Sequence, residues 1–197
     1  MRWDNLFDDL EGQLEHELSA EETDLRAEDE RLRVGRLSLR DRLTSLAEAR
    51  DGSQLLRLVL IAGNTVTVRP VTFGKDWLAG DLVGELVRPM QCVLPLAGIA
   101  GVLLAPGHIE RSLRALPESP ARIVDRIGLP FVLRDLCRRR KPVEILTPAG
   151  ALHGTIDRVG RDHVDLAVHP PGTLRRSCEV GQVRLVPLGQ IHLVRLS

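Results

Sequence analysis

Two stretches decide the fold: VTFGKDWLAGDL at 71–82 and DRVGRDHVDLAV at 157–168. Laid one on the other, they place Gly74 on Gly160, Asp76 on Asp162 and Trp77 on His163. Each reads as a Gly-x-Asp turn that opens a short strand. A second pair of blocks, VLPLAGIAGV at 93–102 and LVPLGQIHLV at 185–194, sets Pro95-Leu96 on Pro187-Leu188, Ile99 on Ile191 and Val102 on Val194. A third match is Leu39-Arg40-Asp41 on Leu133-Arg134-Asp135, each inside the helix expected before the strands. Three blocks in the same order imply an internal repeat. The gaps fall in connections: a longer helix-to-strand segment in the first copy, and the insertion from His169 to Arg176 in the second.

Short strands punctuated by Gly turns fill both copies. The first copy reads as Gln54 to Ile61, Thr65 to Val68, Asp76 to Val83, Glu85 to Leu94 and Ile99 to Leu103. The second reads as Val143 to Leu146, Leu152 to Val159, His163 to Val168, Ser177 to Leu188 and Ile191 to Arg195. Ser38-Leu-Arg-Asp41 opens a helix that Asp51-Gly52 ends, and Pro130 suits the first turn of a helix that must stop near Lys141, because Pro142 follows. Residues 104–128, with Pro106, Pro117 and Pro120, read as a linker with a helical turn at Glu110 to Leu116. Ahead of all this, Trp3, Phe7, Leu10 and Leu14 line one helical face. Ser19-Ala-Glu-Glu22 has the form of a capping box, which predicts one helix over 2–18 and a second, or a kinked continuation, over 20–33. The expected organisation is an acidic helical arm at 1–36, a first module at 37–103, a linker at 104–128 and a second module at 129–197. The fold class is α+β, mostly β.

A helix followed by five short strands, with Pro-Leu before a brief last strand, resembles the Sm-like or SH3-like small barrel. The resemblance rests on Gly63 and Gly74-Lys-Asp76 in the first copy, and on Gly150 and Gly160-Arg-Asp162 in the second. It implies two tandem helix-plus-five-strand barrels. The last turns read Ala97-Gly98 and Gly189-Gln190 where RNA-binding Sm proteins carry Arg-Gly, so Sm-type uridine binding is not implied. The whole chain also resembles an uncharacterised actinobacterial family sharing the RWDNLFDDLEGQLE opening and the two Gly-x-Asp … Pro-Leu halves. Its members are sometimes labelled Fis-type regulators. That label would need a helix-turn-helix near the C-terminus, where this sequence reads as strands.

Charge is balanced overall but unevenly spread. Residues 1–30 carry −10 and the remainder +10, an acidic arm on a basic body. Exposed charges attract weakly beyond a Debye length of roughly 8 Å, so an arm that screens the body must lie close to it. Deleting residues 1–34 is then expected to strengthen binding of a polyanion. The positive charge is nearly all Arg, with Lys75 and Lys141 the two lysines. No apolar stretch suits a secretory leader or a membrane span, and three widely separated cysteines suit a reduced cytoplasm.

The densest basic run is Arg138-Arg139-Arg140-Lys141, with Arg175-Arg176 in the second-copy insertion able to extend it. Such a run contacts phosphates and releases counterions. It also suits the end of a helix, where cations favour the dipole. Four histidines, His153, His163, His169 and His192, match no metal-ligand spacing, and no catalytic motif, metal site or cofactor fingerprint is read. Trp77 is expected to pack rather than to stack on a base. The expectation is therefore a non-catalytic cytoplasmic binding or adaptor protein, its partner RNA or DNA held by the basic surface. The alternative is a protein-interaction scaffold that docks a protein partner, or forms a homodimer, through Trp3, Phe7, Leu10 and Leu14; no membrane partner is expected.

Overall fold

A computed structural model describes residues 3–48, 55–84, 90–114, 122–172 and 180–196. The chain divides into two compact units, Met1–Ser38 and Leu39–Ser197. The first is one helix, α1 (Trp3–Gly35). At 33 residues it is about 50 Å long, given a rise of 1.5 Å per residue. The break expected near Ser19 does not occur: Thr23 donates its hydroxyl to the Ser19 carbonyl one turn back, at 2.8 Å. Strong helix formers run on through this region. Glu22 pairs with Arg26 at 2.9 Å, and Arg33 with Glu30 at 2.6 Å, on neighbouring turns. Trp3, Phe7, Leu10 and Leu14 lie within α1, but their side chains are outside the described residues.

The second unit is α+β and mostly β. It begins with α2 (Leu39–Ala47), followed by β1 (Leu56–Leu60), β2 (Thr65–Phe73), β3 (Trp77–Leu82), β4 (Met90–Pro95), a 3-10 turn at Leu96–Gly98 and β5 (Ile99–Leu103). After α3 (Pro106–Ser112) and a 3-10 turn at Ile123–Arg126 come α4 (Leu129–Arg138), β6 (Pro142–Thr147), β7 (Gly150–Val159), β8 (His163–Val168), β9 (Gln182–Pro187), a 3-10 turn at Leu188–Gln190 and β10 (Leu193–Leu196). Residues 104–128, expected as a linker with one helical turn, thus hold α3 and a 3-10 turn, with Pro106 pre-set for the first turn of α3.

All ten strands join one antiparallel sheet in the order β5-β1-β2-β3-β4-β10-β6-β7-β8-β9. Each half has the same local plan. β2 and β7 both bulge against the next strand, at Val71 and at Asp157. Trp77 pairs with Pro95 as His163 pairs with Pro187. Gly74 and Gly160 each donate to the carbonyl of the residue three further on, at 2.8 Å. In each copy a β-carbon on that glycine would overlap the ring of that residue, which explains why the turn begins with Gly.

Strand alternation sets the burial. Leu56, Leu58 and Leu60 of β1 are buried and Arg57 between them is exposed; Val143, Ile145 and Thr147 of β6 are buried in the same phase. The helices supply one apolar face each, Leu43 and Leu46 from α2, and Leu129, Leu133 and Leu136 from α4. Two core clusters result, and each reaches across the midline. Trp77 and Val93 of the first half join the second cluster, while Leu193 of β10 and the half-buried Leu146 join the first.

Candidate nucleic-acid interface

The basic run sits where α4 ends. The start of that helix is held by the first copy: Asp76 accepts from the Leu129 N–H at 2.8 Å, so its carboxylate caps the positive end of the helix. The Ile127 carbonyl just before it accepts from the Trp77 indole N–H and from the Lys75 N–H, both at 2.9 Å. Arg40 braces the same place, donating to the Gly74 carbonyl and to Asp125, both at 2.6 Å. The Asp125 carboxyl is held below the usual carboxylate range, first by the Arg122 backbone N–H and then by Arg40 and Arg122. Trp77 is therefore a buried packing residue with its N–H satisfied, not a stacking platform.

The C-terminus of α4 closes as a Schellman motif. The Lys141 N–H reaches back to the Leu136 carbonyl at 3.2 Å, and the Arg140 N–H to that of Cys137 at 3.0 Å. The motif needs a left-handed residue, and Arg140 takes that role at φ 52°, the one non-glycine residue with positive φ among the described residues. A side chain there costs roughly 1 kcal/mol relative to glycine.

Arg138, Arg139, Arg140 and Lys141 are all exposed. Asp135, one turn back, binds Arg138 at 2.6 Å and Arg139 at 2.7 Å, and these bonds, that from Arg138 foremost, hold its carboxyl below the usual range. Arg140 lies 3.6 Å from Asp157, the bulge residue of β7. Pairs whose guanidinium is exposed in this way are weak. Arg175 and Arg176 lie outside the described residues.

One feature escaped the sequence reading. Leu129, Leu133 and Leu136 face the core, so Phe131, Arg134 and Arg138 share the opposite face of α4, and all three are exposed. Phe131 is 60% exposed, an unusual position for one of three phenylalanines in a chain with no tyrosine. The signal was present in the i, i+3, i+7 spacing, once the phase of the core face is known.

The remaining candidates are structural. His163 hydrogen-bonds Asp162 at 2.8 Å, and that bond holds the Asp162 carboxyl down. Buried His169 shares a bond with Thr155 at 2.9 Å. Cys92 is buried and its thiol is pushed up to about 12 by desolvation, which suits a core residue rather than a nucleophile. Among the described residues, no three His, Cys, Asp or Glu side chains are grouped to hold a metal ion, and no helix is long and apolar enough to cross a membrane. Comparison with known proteins found no matching family model, no matching curated protein and no matching solved structure.

Proposed function

We propose that this chain is a non-catalytic nucleic-acid-binding protein, with each half of its sheet a Sm-like or SH3-like small barrel and the exposed end of α4 as the binding surface. RNA, or another single strand, is the favoured ligand. The observation that carries the proposal is Arg140: a charged residue occupies a left-handed helix-capping position where glycine is cheaper, within a run of four consecutive exposed cations. Exposed Phe131, on the same face of α4 as Arg138, supplies a face on which an unpaired base can stack. Duplex DNA offers no such base, which favours a single strand.

The test is electrophoretic mobility of mixed-sequence RNA and DNA oligonucleotides at two salt concentrations. Wild-type protein is expected to bind at low salt and to weaken as salt rises. Changing Arg138, Arg139, Arg140 and Lys141 together to Ala should remove most of that binding and flatten its salt dependence, since each single-strand phosphate contact contributes a slope of roughly 0.7. Phe131→Ala should weaken single-strand binding roughly tenfold, the lower part of the range for one stacked base, and leave duplex binding unchanged. Asp135→Asn should tighten binding, because it releases two guanidinium groups. No binding at low salt would reject the proposal.

A second reading, a scaffold that docks through its acidic helix, is favoured by α1 alone. Leu18, Leu25 and Leu32 are exposed at seven-residue spacing, continuing the line begun by Trp3, Phe7, Leu10 and Leu14. Co-purification of a stoichiometric protein, lost on changing Leu18 and Leu25 to Glu, would support that reading.

A further inference from the structure

α2 carries a guanidinium to an apolar groove, and no carboxylate among the described residues meets it there. The groove lies between α2 and β5 and measures about 260 Å³. Leu39, Leu43 and Leu46 line it from the helix, where their spacing sets them on one face. Ile99 and Val102 line it from the strand. Leu43 and Leu46 are buried, while Leu39 is 41% exposed and stands where the groove meets solvent.

Arg42 lines the same groove and is half-buried. Its guanidinium donates to the Ser112 hydroxyl at 2.8 Å. Ser112 is fully buried and donates its own proton to the Ile109 carbonyl at 2.7 Å, so its oxygen is turned to accept from Arg42. Ser45 donates to the Arg114 carbonyl at 3.0 Å and ties the chain beyond α3 to the same helix. These bonds fix the guanidinium beside the groove. Other arginines that are partly buried have an anion: Arg40 binds Asp125 at 2.6 Å, and Arg195 binds Glu144 at 2.8 Å. Arg42 has a neutral hydroxyl as its partner among the described residues. One hydroxyl leaves most of a guanidinium's donors to other acceptors, and a partly desolvated cation is costly without an anion.

We infer that the groove binds a small aliphatic monocarboxylate, with its chain along the leucines of α2 and its carboxylate on Arg42. A guanidinium and a carboxylate match as a fork, through two parallel N–H···O bonds. An apolar cavity of about 150 Å³ takes benzene, so a groove of this size takes a chain of roughly eight to ten carbons. A single cation suits a single negative charge, and the apolar lining suits a chain rather than a hydrated sugar or phosphate. This inference does not rest on nucleic-acid binding, since Arg42 lies on α2 and the basic run lies at the end of α4.

The experiment titrates the full chain with octanoate and, separately, with 1-octanol at neutral pH, following the methyl resonances of Leu43, Leu46 and Val102. The two probes share one chain and differ in the carboxylate. Octanoate should bind saturably, move those methyls and bind about tenfold tighter than 1-octanol. Arg42→Gln keeps a donor for Ser112 and removes the charge, so it should abolish that preference and leave 1-octanol binding unchanged. Leu39→Glu sets a carboxylate one turn before Arg42, where it competes for the guanidinium. The position is exposed and an acid suits the first turn of a helix, so this variant should melt like wild type and bind no octanoate. Absence of saturable octanoate binding, 1-octanol that binds as tightly as octanoate, or an affinity for octanoate unchanged in Arg42→Gln would each overturn the inference. Wild type that ignores octanoate and forms a dimer, lost in Leu39→Glu, would give the groove to a second copy and overturn it as well.

Discussion

The turns at 74–77 and 160–163 have the same backbone and opposite fates. Both begin with a glycine that donates at 2.8 Å to the residue three further on, and both are followed by an aspartate and a ring. In the first, the ring is buried Trp77, its N–H on the Ile127 carbonyl, and the aspartate caps α4. In the second, the ring is half-exposed His163 and the aspartate bonds to it sideways. The shared Gly-x-Asp pattern fixes the hydrogen bonding of the turn. What packs on it decides whether the next side chain is a core residue or a surface one.

Substitution can break that contrast, and Trp77→Ala against His163→Ala should do so most strongly. The first empties a buried, hydrogen-bonded site and should cost about 3–5 kcal/mol in urea unfolding, while the second should leave the midpoint nearly unchanged. Equal effects would show that the two turns are equally engaged. Asp76→Ala should cost roughly 1 kcal/mol through the lost cap on α4, while Asp162→Ala should have no measurable effect on the same assay. The last test concerns the place where β4 meets β10. His192 is buried beside Gly98, its Nδ1 has no hydrogen-bond partner among the described residues, and burial lowers its pKa from the ordinary 6.5. The unfolded chain then binds the proton more readily than the folded one. Stability should be full above about 6.5 and fall as pH drops through that value towards the folded pKa, and His192→Gln should reduce the slope of a melting-temperature profile.

Much of the strand pattern was legible because it follows local chemistry. β5 runs Ile99–Leu103 as its β-branched residues and bounding turns predict, and β3 and β8 fall on the two matched blocks. The helix over α4 was legible from Pro130 and Pro142 at its ends. The N-terminal arm was read as two segments because Ser19-Ala-Glu-Glu22 imitates a helix start, whereas uninterrupted helix formers on both sides keep α1 whole. The joining of both halves into one sheet was not legible, because nothing local in Cys92-Val93 or Val194-Arg195 names its partner strand. At the candidate site the Arg run was plain in the sequence. The exposure of Phe131 and the left-handed turn at Arg140 were not, since the first depends on which face α4 packs against β7 and the second on how the chain turns from α4 into β6.

If Arg140 occupies a costly position for the sake of its charge, two readouts on Arg140→Gly should move in opposite directions. Glycine relieves the left-handed backbone, so unfolding stability should rise by roughly 0.5–1 kcal/mol, while RNA affinity at low salt should fall several-fold with a shallower salt dependence. A variant that loses stability and binds RNA as tightly as wild type would assign Arg140 to its pairing with Asp157 instead of to RNA.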